Sequence, residues 1–170
     1  MDKVFETLSQ GITKNPDAGM LYRKRGDTYN DLGQYQDAIN EYTRAIELDP
    51  TDVEAFIGRG YAYSNNDELE KAIDDCSQAL RLDPNSERAL YLRGTQYSLK
   101  DELDLALADL SKAIELDPSD WYAYRNRGIV YKNQGKIDEA MADYKKALAL
   151  SKNLTEEKII NDLIDKVGKK

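Results

Sequence analysis

The four prolines of this chain are Pro16, Pro50, Pro84 and Pro118, each 34 residues after the one before. A fixed period of that length marks a supersecondary unit repeated in tandem, and it constrains the fold more than any local propensity. Three prolines close the same approach: Ile46-Glu47-Leu48-Asp49-Pro50, Leu80-Arg81-Leu82-Asp83-Pro84 and Ile114-Glu115-Leu116-Asp117-Pro118. Glycine recurs in register at Gly26, Gly60, Gly94 and Gly128, and tyrosine at Tyr29, Tyr63, Tyr97 and Tyr131. Alanine supplies two more columns: Ala38, Ala72, Ala106 and Ala140, then Ala45, Ala79, Ala113 and Ala147.

Each column has a physical reason. Tyr22, Gly26 and Tyr29 lie at i, i+4 and i+7, one stripe of a helix, and Ala38, Tyr42 and Ala45 make the same stripe on a second. Glycine inside a helix costs about 1 kcal/mol against alanine, so its recurrence predicts close approach of helices. The breaks between stripes, such as Gly33-Gln34 and Gln134-Gly135, are short enough to make the two helices antiparallel neighbours. Proline, costly within a helix, separates one hairpin from the next. Thr51 with Glu54 reads as a capping box for one restart, and Leu154 with Ile159 as a hydrophobic staple around an N-cap at Thr155. Cys76 shares a slot with Tyr42, Leu110 and Tyr144, which predicts core rather than a nucleophile. Trp121 begins a helix and is expected to pack.

Composition narrows the function. The chain of 170 residues is long enough for a substantial core. It contains no run of the ~18 apolar residues a membrane span needs. The start, Met1-Asp2-Lys3-Val4-Phe5-Glu6, lacks the regions of a signal peptide, so a cytoplasmic protein is expected. Its single cysteine allows no disulfide within the chain and suits a reducing compartment. A net charge of −8 argues against nucleic acid as a partner. Without histidine, a Ser-His-Asp triad, a Cys-His pair and most zinc sites drop out. The 32 acids are spread along helices as a solvated surface would have them. Neither catalysis nor a metal or cofactor is expected.

An aromatic residue, then glycine, tyrosine, two alanines and proline at this spacing resembles the tetratricopeptide repeat over residues 19 to 152. The resemblance implies an all-α fold, a right-handed α-solenoid of antiparallel helix hairpins with about ten helices. The register places repeats at 19–52, 53–86, 87–120 and 121–152. A half repeat (second helix only) precedes them at 1–17, where Val4, Leu8 and Gly11 take the slots of Ala38, Tyr42 and Ala45. A capping helix follows at 155–168, with the stripe Ile159, Ile160, Leu163, Ile164 and Val167. The half repeat is read either as a lone cap or as the mark of a chain cut from a longer one, the second being favoured.

Two departures from the family pattern stand out. Lys152 replaces the closing proline of the fourth repeat. The leucine before each glycine is arginine, at Arg25, Arg59, Arg93 and Arg127, an arginine-glycine variant of the repeat. An acid recurs on each second helix at Glu41, Asp75, Asp109 and Asp143. An unpaired buried guanidinium costs several kcal/mol, so arginine–acid pairs linking the helices are expected, in preference to a ligand role.

The resemblance implies that the first helix of each hairpin lines a concave groove holding a peptide or protein segment. The groove residues expected are Arg23, Lys24 and Asp27; Ile57 and Tyr61; Arg88, Tyr91, Leu92 and Thr95; and Tyr122, Arg125, Asn126 and Ile129. The stripe has five cations (Arg23, Lys24, Arg88, Arg125, Lys132) against three acids (Asp27, Asp31, Glu54), or +2 in a chain of −8. That mixture suits a partner with acidic residues and apolar anchors. The family's carboxylate clamp, Lys and Asn, then Asn, then Lys and Arg, would fall on Arg23, Asp27, Gly58, Arg88 and Leu92, and is absent. An asparagine ladder finds Asn126 alone. The primary expectation is a scaffold or adaptor for a protein or peptide, with no nucleic acid and no membrane. Self-association through the half repeat and a regulatory segment of a longer protein are the alternatives.

Overall fold

The structure, a computed structural model, describes residues 2–168. The half repeat expected over 1–17 is thus followed from residue 2, and Met1 lies outside the described residues. Ten α-helices follow one another: α1 (Asp2–Lys14), α2 (Gly19–Asp31), α3 (Tyr35–Leu48), α4 (Val53–Asn65), α5 (Leu69–Leu82), α6 (Glu87–Leu99), α7 (Leu103–Leu116), α8 (Trp121–Asn133), α9 (Ile137–Leu150) and α10 (Leu154–Gly168). They are packed as antiparallel hairpins in a solenoid arrangement, and the fold is all-α. The chain divides into two compact units, Met1–Pro84 and Asn85–Lys170. In the first, α2 pairs with α3 and α4 with α5, while α3 packs on α4 and α1 on α2. In the second, α6 pairs with α7 and α8 with α9, while α7 packs on α8 and α10 on α9.

The helices start and stop for local reasons. The α4 N-cap is Asp52, whose side chain accepts from Ala55 N at 3.0 Å. The expected cap at Thr51 is therefore wrong by one residue. Asp49 accepts from both the Thr51 backbone N–H and hydroxyl, which commits Thr51 to the preceding turn. Asp117 and Ser119 repeat that turn, and Asp120 caps α8 through Tyr122 N at 2.9 Å. At α10 the cap is Asn153, which accepts from Thr155 N and Glu156 N at 3.1 and 3.0 Å. Leu154 is 82% exposed, so no staple forms there. Each hairpin turn uses one left-handed residue in a shared slot: Gly33, Asp67, Asp101 and Gly135, with φ between 59° and 75°. Asp is among the few residues with a side chain that visit this region routinely.

The alanine columns and the residue between them form the core. Ala38, Tyr42 and Ala45 are buried, as are Ala140, Tyr144 and Ala147. Cys76 is buried in the same column. A Cβ on Gly128 would lie 2.6 Å from the Tyr144 ring, and one on Gly26 would lie 2.9 Å from that of Tyr42, so these glycines admit a ring that alanine would push away. Trp121 packs with Tyr144, Ile160 and Val167. On α10, Ile160 and Val167 are buried and Leu163 and Ile164 partly so, whereas Ile159 points to solvent.

An arginine–acid pair ties the two helices of every hairpin. Arg59 donates from Nε and Nη2 to the two Asp75 oxygens at 2.7 and 2.8 Å, and Nη1 donates to Thr43 Oγ1 at 3.0 Å. Arg93 and Arg127 bind Asp109 and Asp143 through the same two nitrogens, at 2.7 to 2.9 Å. The guanidinium is also held over aromatic faces, with Arg127 5.6 Å from the Tyr124 ring and 5.8 Å from that of Tyr131. The bonds to Asp143 are the largest influence on Arg127 and push its pKa further up. The first hairpin differs. Arg25 reaches Glu41 by a single bond, Nη2 to Oε1 at 2.8 Å, leaving Arg25 Nε and Glu41 Oε2 buried without partners. Glutamate is one methylene longer than aspartate, which displaces its carboxylate from the fork.

Two substitutions test the pairs by chemical denaturation. Asp75→Ala strands a mostly buried guanidinium and is expected to cost about 3 kcal/mol. Glu41→Asp lets both carboxylate oxygens meet Arg25 and is expected to stabilise by about 1 kcal/mol.

Candidate functional site

The first helices of the first unit offer little free chemistry. Arg23 Nε donates to Asp52 Oδ2 at 2.9 Å, which ties α2 to the capping residue of α4. Asp27 accepts from the Tyr42 hydroxyl at 2.8 Å. Lys24 is exposed and Tyr61 half-buried. Ile57 was expected in the groove, but it is fully buried at 0% exposure and belongs to the core. It cannot meet a partner without unfolding its surroundings.

In the second unit α6 and α8 enclose a recess of about 290 Å³ lined by Tyr91, Thr95, Ser98, Leu99, Arg125, Asn126 and Ile129. Five of these are expected groove residues. Tyr122 is exposed beside it, its ring stacked on Trp121 at 3.9 Å and edge-on to Tyr91 at 6.5 Å. Arg88 is exposed on the first turn of α6. One expectation is corrected. Leu92 is 2% exposed and packs in the core, because α6 is covered by both α7 and α8. Asn126 is 8% exposed, and its Nδ2 donates to Tyr91 Oη at 3.2 Å and Thr95 Oγ1 at 3.0 Å. It lines the recess, as expected, and these two bonds brace its wall.

Sequence reasoning left Leu99 out of the groove. It is 65% exposed at the rim. Its slot is otherwise Asp31, Asn65 and Asn133, so one leucine in a polar column was a readable signal. Among the described residues, no cluster of acids and cysteine could hold a metal ion, and no helix is long and apolar enough to cross a membrane.

A TPR-repeat model matches residues 26–67 and 94–135, and a tetratricopeptide-repeat model matches 53–86 and 121–154. A crystal structure of MamA is 32% identical, with 84% of each chain covered and a TM-score of 0.77. The chain belongs to the tetratricopeptide-repeat family. A second MamA crystal structure is 25% identical, covering 91% of this chain and 88% of that one, at a TM-score of 0.74. The first TPR of Spaghetti (RPAP3), solved bound to the HSP90 peptide SRMEEVD, shares the fold at 24% identity, a TM-score of 0.68, and 69% and 94% coverage. No curated protein matches the chain at a significant level. Tetratricopeptide repeats are scaffolds for protein interaction, and the family is typically non-catalytic.

One electrostatic feature borders the recess of this tetratricopeptide protein. Burial, then the Asp120 and Asp117 carboxylates, pushes the Glu87 carboxyl up. Burial likewise raises Asp120, against the backbone N–H groups of Tyr122 and Ala123 that favour its charged form. Both acids are therefore easier to protonate in the folded chain than in the unfolded one. The stability this contributes is present below their unfolded pKa values and lost as pH rises through the folded ones. Glu87→Gln is accordingly expected to raise the melting temperature at pH 7, with the advantage shrinking toward about pH 4. Thermal melts across that range check it.

Proposed function

We propose that the chain is a non-catalytic interaction scaffold of the cytoplasm, built on an arginine-glycine form of the tetratricopeptide repeat. It binds a peptide or protein segment on the faces of its first helices. The observation that carries this reading is the recess between α6 and α8, where an arginine, hydroxyl groups and the apolar Leu99 and Ile129 line one concavity. Such a mixture of apolar wall and a few convergent polar groups is what a side-chain pocket needs. Arg88 and Arg125 favour a partner that joins acidic residues to apolar anchors. A protein of the same fold has been solved with an HSP90 peptide, SRMEEVD. The clamp pattern quoted above is missing from this chain, so a different acidic segment is the better fit.

The test is an unbiased capture of partners by the wild type and by the Arg88→Glu, Arg125→Glu double variant. Acidic partners should be lost by the double variant. Equal capture by both would reject this face.

A second reading has its own observation. On α1, Val4 is 53% exposed, and Glu6, Ser9, Gln10, Thr13 and Lys14 line a shallow recess of about 320 Å³. This surface could receive a second copy of the chain. Light scattering at rising concentration should then report a dimer or larger species, reduced by Val4→Asp. A monodisperse monomer throughout would remove this reading.

A further inference from the structure

The junction between α9 and α10 lacks two features found elsewhere in the array. Other hairpins are separated by Asp49-Pro50, Asp83-Pro84 and Asp117-Pro118, whereas the fourth repeat closes on Ser151-Lys152. A first-helix arginine also reaches back across its junction to a hydroxyl on the preceding helix. Arg25 Nη1 donates to Ser9 Oγ at 3.3 Å, Arg59 Nη1 to Thr43 Oγ1 at 3.0 Å and Arg127 Nη1 to Ser111 Oγ at 3.2 Å. One period later, the slots of Arg127 and Ser111 hold Asn161 and Lys145, both exposed. Among the described residues, no side-chain hydrogen bond or ion pair ties α10 to α8 or α9. What holds α10 is apolar: Ile160 and Val167 are buried with Trp121, Tyr144 and Ala147, and Leu163 and Ile164 are partly covered.

We propose that α10 exchanges between two copies of this chain: α9 and α10 straighten into one helix, and the α10 of each copy covers the face formed by Trp121 and Tyr144 on the other. Proline at the other junctions forbids such a helix, because it lacks an N–H and clashes with the preceding turn. Ser151, Lys152 and Asn153 impose no such block. The bend rests instead on Ser151, extended at φ −62° and ψ 146°, and on the Asn153 cap. The Asn153 side chain accepts from Thr155 N and Glu156 N and donates to Glu156 Oε1 at 2.9 Å. Straightening gives up that cap but completes the backbone hydrogen bonds of the intervening residues, so little local energy separates the two forms. A chain opened in this way bares Trp121 and Tyr144 as one apolar face, and the helix whose stripe fits that face is the α10 of another copy. The same contacts re-form between chains, so the exchange sacrifices little apolar burial. This surface is separate from α1, and the proposal does not rest on the second-copy reading made for Val4.

The experiment reads oligomeric state and helix geometry together. The full chain is unfolded, refolded at millimolar concentration and sized by light scattering. Spin labels are placed by Ile137→Cys and Lys166→Cys, with the single native cysteine removed by Cys76→Ala. Ile137 and Lys166 line one recess and so lie close in the bent form. Straightening sets them 29 residues apart on one helix, a separation of about 44 Å. Labelled chains diluted in excess unlabelled protein report the distance within one chain. A dimer with the lengthened distance is expected. Lys152→Pro suits the bend, because Ser151 already has the conformation a residue before proline takes, and it should weaken the dimer about a hundredfold or more. Asn153→Ala removes the cap and should strengthen the dimer about tenfold. Val4→Asp should leave it unchanged. The short distance kept by Lys152→Pro serves as the check that this variant folds. A monomer throughout, or a dimer indifferent to Lys152→Pro, overturns the exchange. So does a dimer that keeps the short distance, and its loss in Val4→Asp would then favour the α1 surface.

Discussion

The bond between an arginine on the first helix and an acid on the second is the interaction on which each hairpin depends. Helices of 13 or 14 residues, as these are, are marginal alone in water and need tertiary contacts to persist. The glycine and alanine columns let the two helices come close, but small residues bury little apolar surface. The arginine adds what they lack. Its stem covers neighbouring apolar groups, its planar head lies over aromatic rings, and it meets an acid sixteen residues later, by its fork where that acid is aspartate. A buried pair of this kind is weak evidence of net stability against an apolar alternative. Its greater effect is to set the register of one helix against the other, because removing either partner strands the second.

With the hairpin held by repeated columns, the positions that vary between repeats are free to differ in chemistry. The first-helix slot of Arg23 becomes Ile57, Tyr91 and Arg125 in the later repeats, and that of Asp27 becomes Tyr61, Thr95 and Ile129. In the first repeat these groups close on themselves through Asp52 and Tyr42. In the fourth they do not, and a recess opens beside them. The same scaffold thus satisfies Arg23 Nε and Tyr42 Oη within the fold and leaves Arg125 Nε and Tyr144 Oη without partners.

Much of this was legible in the letters. Proline at a fixed period, the glycine and alanine stripes and the arginine–acid columns define where hairpins lie and which side chains face each other, since a helix places i, i+4 and i+7 on one side. The groove was less legible. Ile57, Leu92 and Asn126 sit beside the buried stripe and were expected to be open, yet each is covered. Within each unit the two first helices, α2 with α4 and α6 with α8, touch each other as well as their hairpin partners, so the buried arc is wider than one stripe. Cap positions slipped by one or two residues for a smaller reason: an Asx turn at Asp49 engages Thr51 before the helix begins.

By itself, then, the sequence determined the repeat, its period, the helix pairs and their small-residue contacts, because those follow from local geometry and from identical residues recurring in phase. Only the tertiary structure decided which arginines were satisfied. The letters treat Arg23 and Arg125 alike, as cations in one column. What separates them is Asp52 bonded to Arg23 Nε, whereas Arg125 Nε is buried without a hydrogen-bond partner among the described residues, a fact about positions in space that periodicity does not encode.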